Sequence, residues 1–125
     1  MTTGFMARFV LHLARGRPLG LGATMFVLHR LTGVGLTVYV FIHLVTLGSV
    51  LGGPAEFDRV MAVLDGPTVR FLELVLVGAV LFHTFNGLRL VVVALTPRAD
   101  QKWLAYAVVG LSLIGVLASA PLLLR

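Results

Sequence analysis

The stretch "VRFLELVLVGAVLFHTFNGLRLVVVAL" (69–95) decides the fold. It is almost wholly Leu, Val, Ala and Gly, yet it carries a histidine, an asparagine and an arginine near its middle. A continuous apolar run of this length crosses a hydrocarbon core, which takes roughly 20 helical residues. Two more runs of the same kind lie at about 26–51 and 103–124. In lipid every backbone N–H and C=O must be satisfied within its own segment, so all three are expected as helices. Transmembrane β-strands would alternate in short stretches, and none do.

The whole chain agrees. Of its 125 residues 58% are hydrophobic and 12% are charged, more apolar surface than a water-soluble domain of this size can bury. The length suits one domain, residues 1–125, made of three membrane spans. With no cysteine, a disulfide framework, a thiolate metal site and a cysteine nucleophile are excluded. The net charge of +5 comes from basic residues scattered between apolar runs, which fits membrane topology and not nucleic-acid binding.

The link 51–68 holds Gly-Gly-Pro at one end and Asp-Gly-Pro at the other, and 55–64 between them can form a short surface helix. The link 96–102, "TPRADQK", is short and polar. Arg8, Arg15 and Arg17 precede the first span, and Arg98 and Lys102 lie in the second link. The positive-inside rule therefore puts the N-terminus and that link in the cytoplasm. Residues 5–15 have two readings. As a helix, Arg8, His12 and Arg15 share one face and Phe5, Phe9 and Leu13 another, an interfacial pattern. The alternative is an ordinary basic tail. Neither a secretory signal nor a mitochondrial transit peptide is evident, so a bacterial cytoplasmic membrane is expected.

Ionisable residues within spans are costly and usually functional. His29 and Arg30 open the first span, and His43 lies deep within it. Glu73 stands one turn inside the second span. Arg89 is near enough to that span's end for its side chain to reach the interface. His83 is not: it lies roughly 18 Å from the nearer end at about 1.5 Å per residue. A histidine at that depth can hydrogen-bond a neighbouring helix, relay protons or ligate a metal. Gly87, four residues on, lies on the same face. It leaves room either for a close helix or for a flat ring beside an axial ligand, and neutral imidazole is a common ligand of haem iron. On the first span, His29, Gly33, Leu36, Val40 and His43 share a line, with the two histidines roughly 21 Å apart in depth.

"VLHRLTGVGL" (27–36) followed by "LFHTFNGLRL" (81–90) resembles the cytochrome b membrane-anchor subunits of succinate:quinone oxidoreductase, respiratory complex II. That family has H-R-x-[ST]-G opening span one and H-x-x-x-G-[IL]-R late in span two. The resemblance covers about 26–95. It implies a haem b-binding anchor that pairs with a second membrane-anchor subunit and docks the iron–sulfur and flavoprotein subunits. It further implies that electrons pass from succinate to quinone, with the dicarboxylate site in the flavoprotein. It assigns His83 as a haem axial ligand, and His29, Arg30, Arg89 and Thr32 to the vicinity of the propionates and quinone. Gly33 and Gly87 pack against the haem face. Where some members have a quinone-binding serine this chain has Phe26, so that role falls to Thr24 or Thr32 or is lost.

His43 departs from the single-haem members. Burying an unpaired imidazole costs about 1–3 kcal/mol, so a partner is expected. It is either a hydrogen bond to the second anchor subunit or the iron of a second, distal haem b. A different class of function also fits the histidines: a small transporter or channel subunit with His29, His43 and His83 as a proton or metal path. No broken helices and no mid-depth carboxylate accompany it.

Overall fold

The computed structural model describes residues 20–96 and 98–124, together with Ala7 and Leu11. The interfacial pattern expected at 5–15 lies outside the described residues, apart from those two. Among the described residues every regular element is helical. Three helices are long and apolar enough to span a membrane. They are α1 (Leu21–Gly48), α3 (Pro67–Leu95) and α4 (Gln101–Leu123), with the short α2 (Pro54–Leu64) between the first two.

The boundaries have local causes. Pro54 and Pro67 stand in the first turns of α2 and α3, where a missing N–H costs nothing and the fixed φ suits a helix. Asp100 caps α4, its Oδ1 accepting from the N–H groups of Lys102 at 2.9 Å and Trp103 at 3.2 Å. After α1 a 3₁₀ turn, Ser49–Gly52, leads to Gly53 at φ 94°, a conformation that favours glycine. The second and third spans begin within two residues of the expected positions, and α2 matches the expected 55–64. The first span starts five residues earlier than expected, at Leu21, because Gly22 and Thr24 do not interrupt it. Thr24 returns its hydroxyl to the Gly20 carbonyl at 3.3 Å, so its polar group is satisfied inside the helix.

Small residues bring the helices together, as expected where lipid supplies no hydrophobic drive between them. On α3 and α4, a methyl added at Gly78 would come within 3.3 Å of Val116, and one at Gly115 within 2.5 Å of Leu81. Met25 of α1 is buried with Ala105 and Val108 of α4, and Leu21, Phe82 and Phe85 pack around them. The three spans therefore meet where α1 and α4 begin and α3 is ending. Away from this point α1 is open: Phe41 is 67% and Val45 77% exposed. Such a surface belongs against lipid or another membrane subunit.

Candidate functional site

α1 and α3 run antiparallel, and each presents the same spacing, His29-x-x-x-Gly33 on one and His83-x-x-x-Gly87 on the other. The pairs interlock. A methyl on Gly33 would meet His83 Cε1 at 3.0 Å, and a methyl on Gly87 would meet His29 Cε1 at 3.7 Å. Each imidazole thus lies over the glycine of the opposite helix. The two rings stack on each other, centroids 4.0 Å apart and 7° from parallel.

This bears on two expectations. His29 was placed at the membrane boundary, some depth away from His83. α1 begins eight residues before it, about 12 Å of helix, and the stacking sets both histidines at one depth. The space beside Gly87 was read as room either for a close helix or for a flat ring, and the imidazole of His29 from the neighbouring helix lies over it.

Hydrogen bonds distinguish the two rings. His83 Nδ1 lies 3.2 Å from the His29 carbonyl oxygen. A carbonyl only accepts, so Nδ1 carries the hydrogen and, in the neutral ring, Nε2 carries the lone pair. The Thr32 hydroxyl is a second acceptor at 3.1 Å. Its own hydrogen is directed back to the Leu28 carbonyl at 2.8 Å, with the His29 carbonyl at 3.0 Å. Thr32 therefore serves His83, a role the sequence did not suggest for it. His29 Nδ1, by contrast, is buried without a hydrogen-bond partner among the described residues.

Arg89 does not reach out to the interface. It is 9% exposed, its Nη1 donates to Asn86 Oδ1 at 3.1 Å, and its Nε is buried without a partner among the described residues. Asn86, 1% exposed, is a site residue that sequence reasoning passed over. The N-x-x-R spacing was a readable signal, since residues three apart share a helix face. Arg30 points outward, its guanidinium carbon 5.4 Å from the Phe26 ring centroid. Phe26, where the resemblance leads one to look for a serine, gives Arg30 an aromatic neighbour. Glu73 is exposed.

His43 is exposed on α1 and does have a partner in the chain, contrary to expectation. Tyr39 Oη lies 3.3 Å from its Nδ1, and the rings are 5.4 Å apart. His43 meets neither His83 nor His29.

Porphyrin iron asks the protein only for axial ligands, and imidazole is a common one. An imidazole whose Nδ1–H is held by a carbonyl, with Nε2 left to coordinate, is the usual form of such a ligand.

Fold and site together define a three-span membrane protein with a histidine pair clamped between two antiparallel helices. Residues 7–119 match the family model described as succinate dehydrogenase/fumarate reductase transmembrane subunit, and the chain belongs to that family. It is 33% identical over 81 residues to the "Succinate dehydrogenase 2 membrane subunit SdhC" of Mycobacterium tuberculosis, covering 65% of this chain and 57% of that protein. It is 30% identical over 123 residues to the "Succinate dehydrogenase hydrophobic membrane anchor subunit" of Halobacterium salinarum, covering 97% of this chain and 95% of that one. The chain thus spans little more than half of the mycobacterial relative and nearly all of the halobacterial one. It is a membrane subunit of an enzyme complex, and this membership replaces the transporter or channel alternative.

Proposed function

We propose that this chain is the haem b-binding anchor of a succinate dehydrogenase, joining its soluble subunits to the membrane and helping to pass electrons to quinone. The observation that carries this is the hydrogen-bonding of His83: Nδ1–H is fixed by the His29 carbonyl and the Thr32 hydroxyl, and Nε2 is left for iron. His29, stacked face to face on His83, would not supply a second imidazole to the same haem, and the second anchor subunit would. Haem, when bound, supplies one-electron transfer. The chain's own residues set its surroundings. Arg89, buried and held by Asn86, is a cation suited to a propionate. Arg30, exposed beside Phe26, is suited to a quinone carbonyl.

The charges support an orientation with the α3–α4 link, bearing Arg98 and Lys102, in the cytoplasm, where the flavoprotein and iron–sulfur subunits would dock. The membrane is then the bacterial or archaeal cytoplasmic membrane. His43 is assigned to a second, distal haem. Its exposure on α1 supports this, since a partner's ligand can approach it there, while its contact with Tyr39 supports a purely structural role. The test is the visible spectrum of the purified complex after dithionite reduction. Sharp Soret and α bands of b type are expected, with a haem-to-flavin ratio of about two if His43 binds iron and about one if it does not. A complex with full flavin and no b-type bands contradicts the proposal.

A further inference from the structure

We infer that Thr32 is a positioning residue for the iron ligand, adding to the electron density that the His83 imidazole can donate. The inference rests on the proposed ligation of haem by His83. Thr32 sits on α1 and His83 on α3, so this hydrogen bond crosses between the two helices. The direction is fixed by the partners. The Thr32 hydroxyl hydrogen is engaged by the Leu28 carbonyl at 2.8 Å, which leaves Oγ1 to accept from His83 Nδ1–H at 3.1 Å. The His29 carbonyl, at 3.2 Å, is the second acceptor for the same N–H. Gly33, the next residue, keeps the imidazole in place, since any Cβ there would meet Cε1 at 3.0 Å.

A hydrogen bond donated from the distal ring nitrogen makes the coordinating nitrogen more basic. A more basic ligand stabilises ferric over ferrous iron and lowers the midpoint potential, one of the protein's levers on haem. Thr32 therefore makes this haem easier to oxidise than it would be with the carbonyl alone.

The experiment is a redox titration of the purified complex carrying wild-type, Thr32→Val or Thr32→Ser anchor. Valine keeps the volume and removes the acceptor; serine keeps the acceptor. Thr32→Val should retain b-type haem and raise its midpoint potential. The expected shift in the ferrous-to-ferric ratio at fixed potential is up to about tenfold, or ~59 mV for one electron. Thr32→Ser should titrate like wild type. Full haem with an unchanged potential in Thr32→Val overturns the inference and leaves ligation by His83 standing. So does an equal shift in both variants. Should Thr32→Val not assemble, Thr32→Ala removes the same hydroxyl without crowding and is read the same way. Failure of both to assemble assigns Thr32 to the fold and also overturns the inference. A wild-type complex without haem overturns the ligation itself.

Discussion

Helix α1 carries two histidines fourteen residues apart, and its two halves treat them differently. In the first half His29 lies against α3, stacked on His83 and set over Gly87. In the second half His43 is exposed and leans on Tyr39 of its own helix. The same line of the helical wheel runs through both, so the difference lies in what faces them. The first half meets a glycine and a matching histidine spacing on the antiparallel helix. The second half is largely exposed, with Phe41 and Val45 open on either side of His43. At His29 and His83 a small residue opposite lets each ring lie between the helices.

The glycines offer the strongest way to break this contrast. Gly33 and Gly35 are neighbours on α1, yet an added methyl at Gly33 meets His83 at 3.0 Å while one at Gly35 meets nothing within 4 Å. Gly33→Leu should displace the His83 ring, cost about 1–3 kcal/mol through overpacking and abolish the b-type spectrum of the complex. Gly35→Ala should leave the spectrum unchanged. If both variants behave alike, the interlocked arrangement is refuted.

Next in size is Asn86→Leu, which strips the buried Arg89 guanidinium of its observed acceptor. A loss of about 1–3 kcal/mol is expected, read as a lower thermal midpoint of the detergent-solubilised complex. Asn86→Asp, which keeps an acceptor and adds a charge, should recover most of it. On the open half, His43→Leu is the sharpening variant. It should lower the haem-to-flavin ratio from about two to about one if a distal haem is held there. If the role is structural it should leave the ratio unchanged, with a stability change of about 1 kcal/mol at most. The smallest effect is expected at Phe26. Phe26→Leu removes an exposed cation–π contact of about 0.5–1 kcal/mol and should alter quinone reduction only modestly. Arg30→Leu should impair quinone reduction more than succinate oxidation with an artificial acceptor.

The contrast between the halves also marks how far the sequence could be read. The three spans, the breakers around α2 and the depth of His83 follow from apolar length and from Gly and Pro, which act locally. Asn86 and Arg89, three apart, and Tyr39 and His43, four apart, are contacts within one turn and were open to the same reasoning. The stacking of His29 on His83 is different in kind. It depends on the register of α1 against α3, and only the repeated H-x-x-x-G spacing, met in opposite directions, hints at it. The burial of Asn86 and Arg89 likewise depends on helix packing, which no single-helix pattern supplies. The family resemblance named Thr32 and His83 without giving their contact, because that hydrogen bond crosses between helices.

The stacked rings offer the most direct measurement. His29 and His83 are 4.0 Å apart, but only His83 has its Nδ1–H fixed by a carbonyl. Electron paramagnetic resonance of the oxidised complex should show a low-spin, two-imidazole ferric haem in wild type. That signal should be lost or converted in His83→Ala and kept, with altered shape, in His29→Ala. A signal that survives His83→Ala at full haem content and vanishes in His29→Ala would contradict the account.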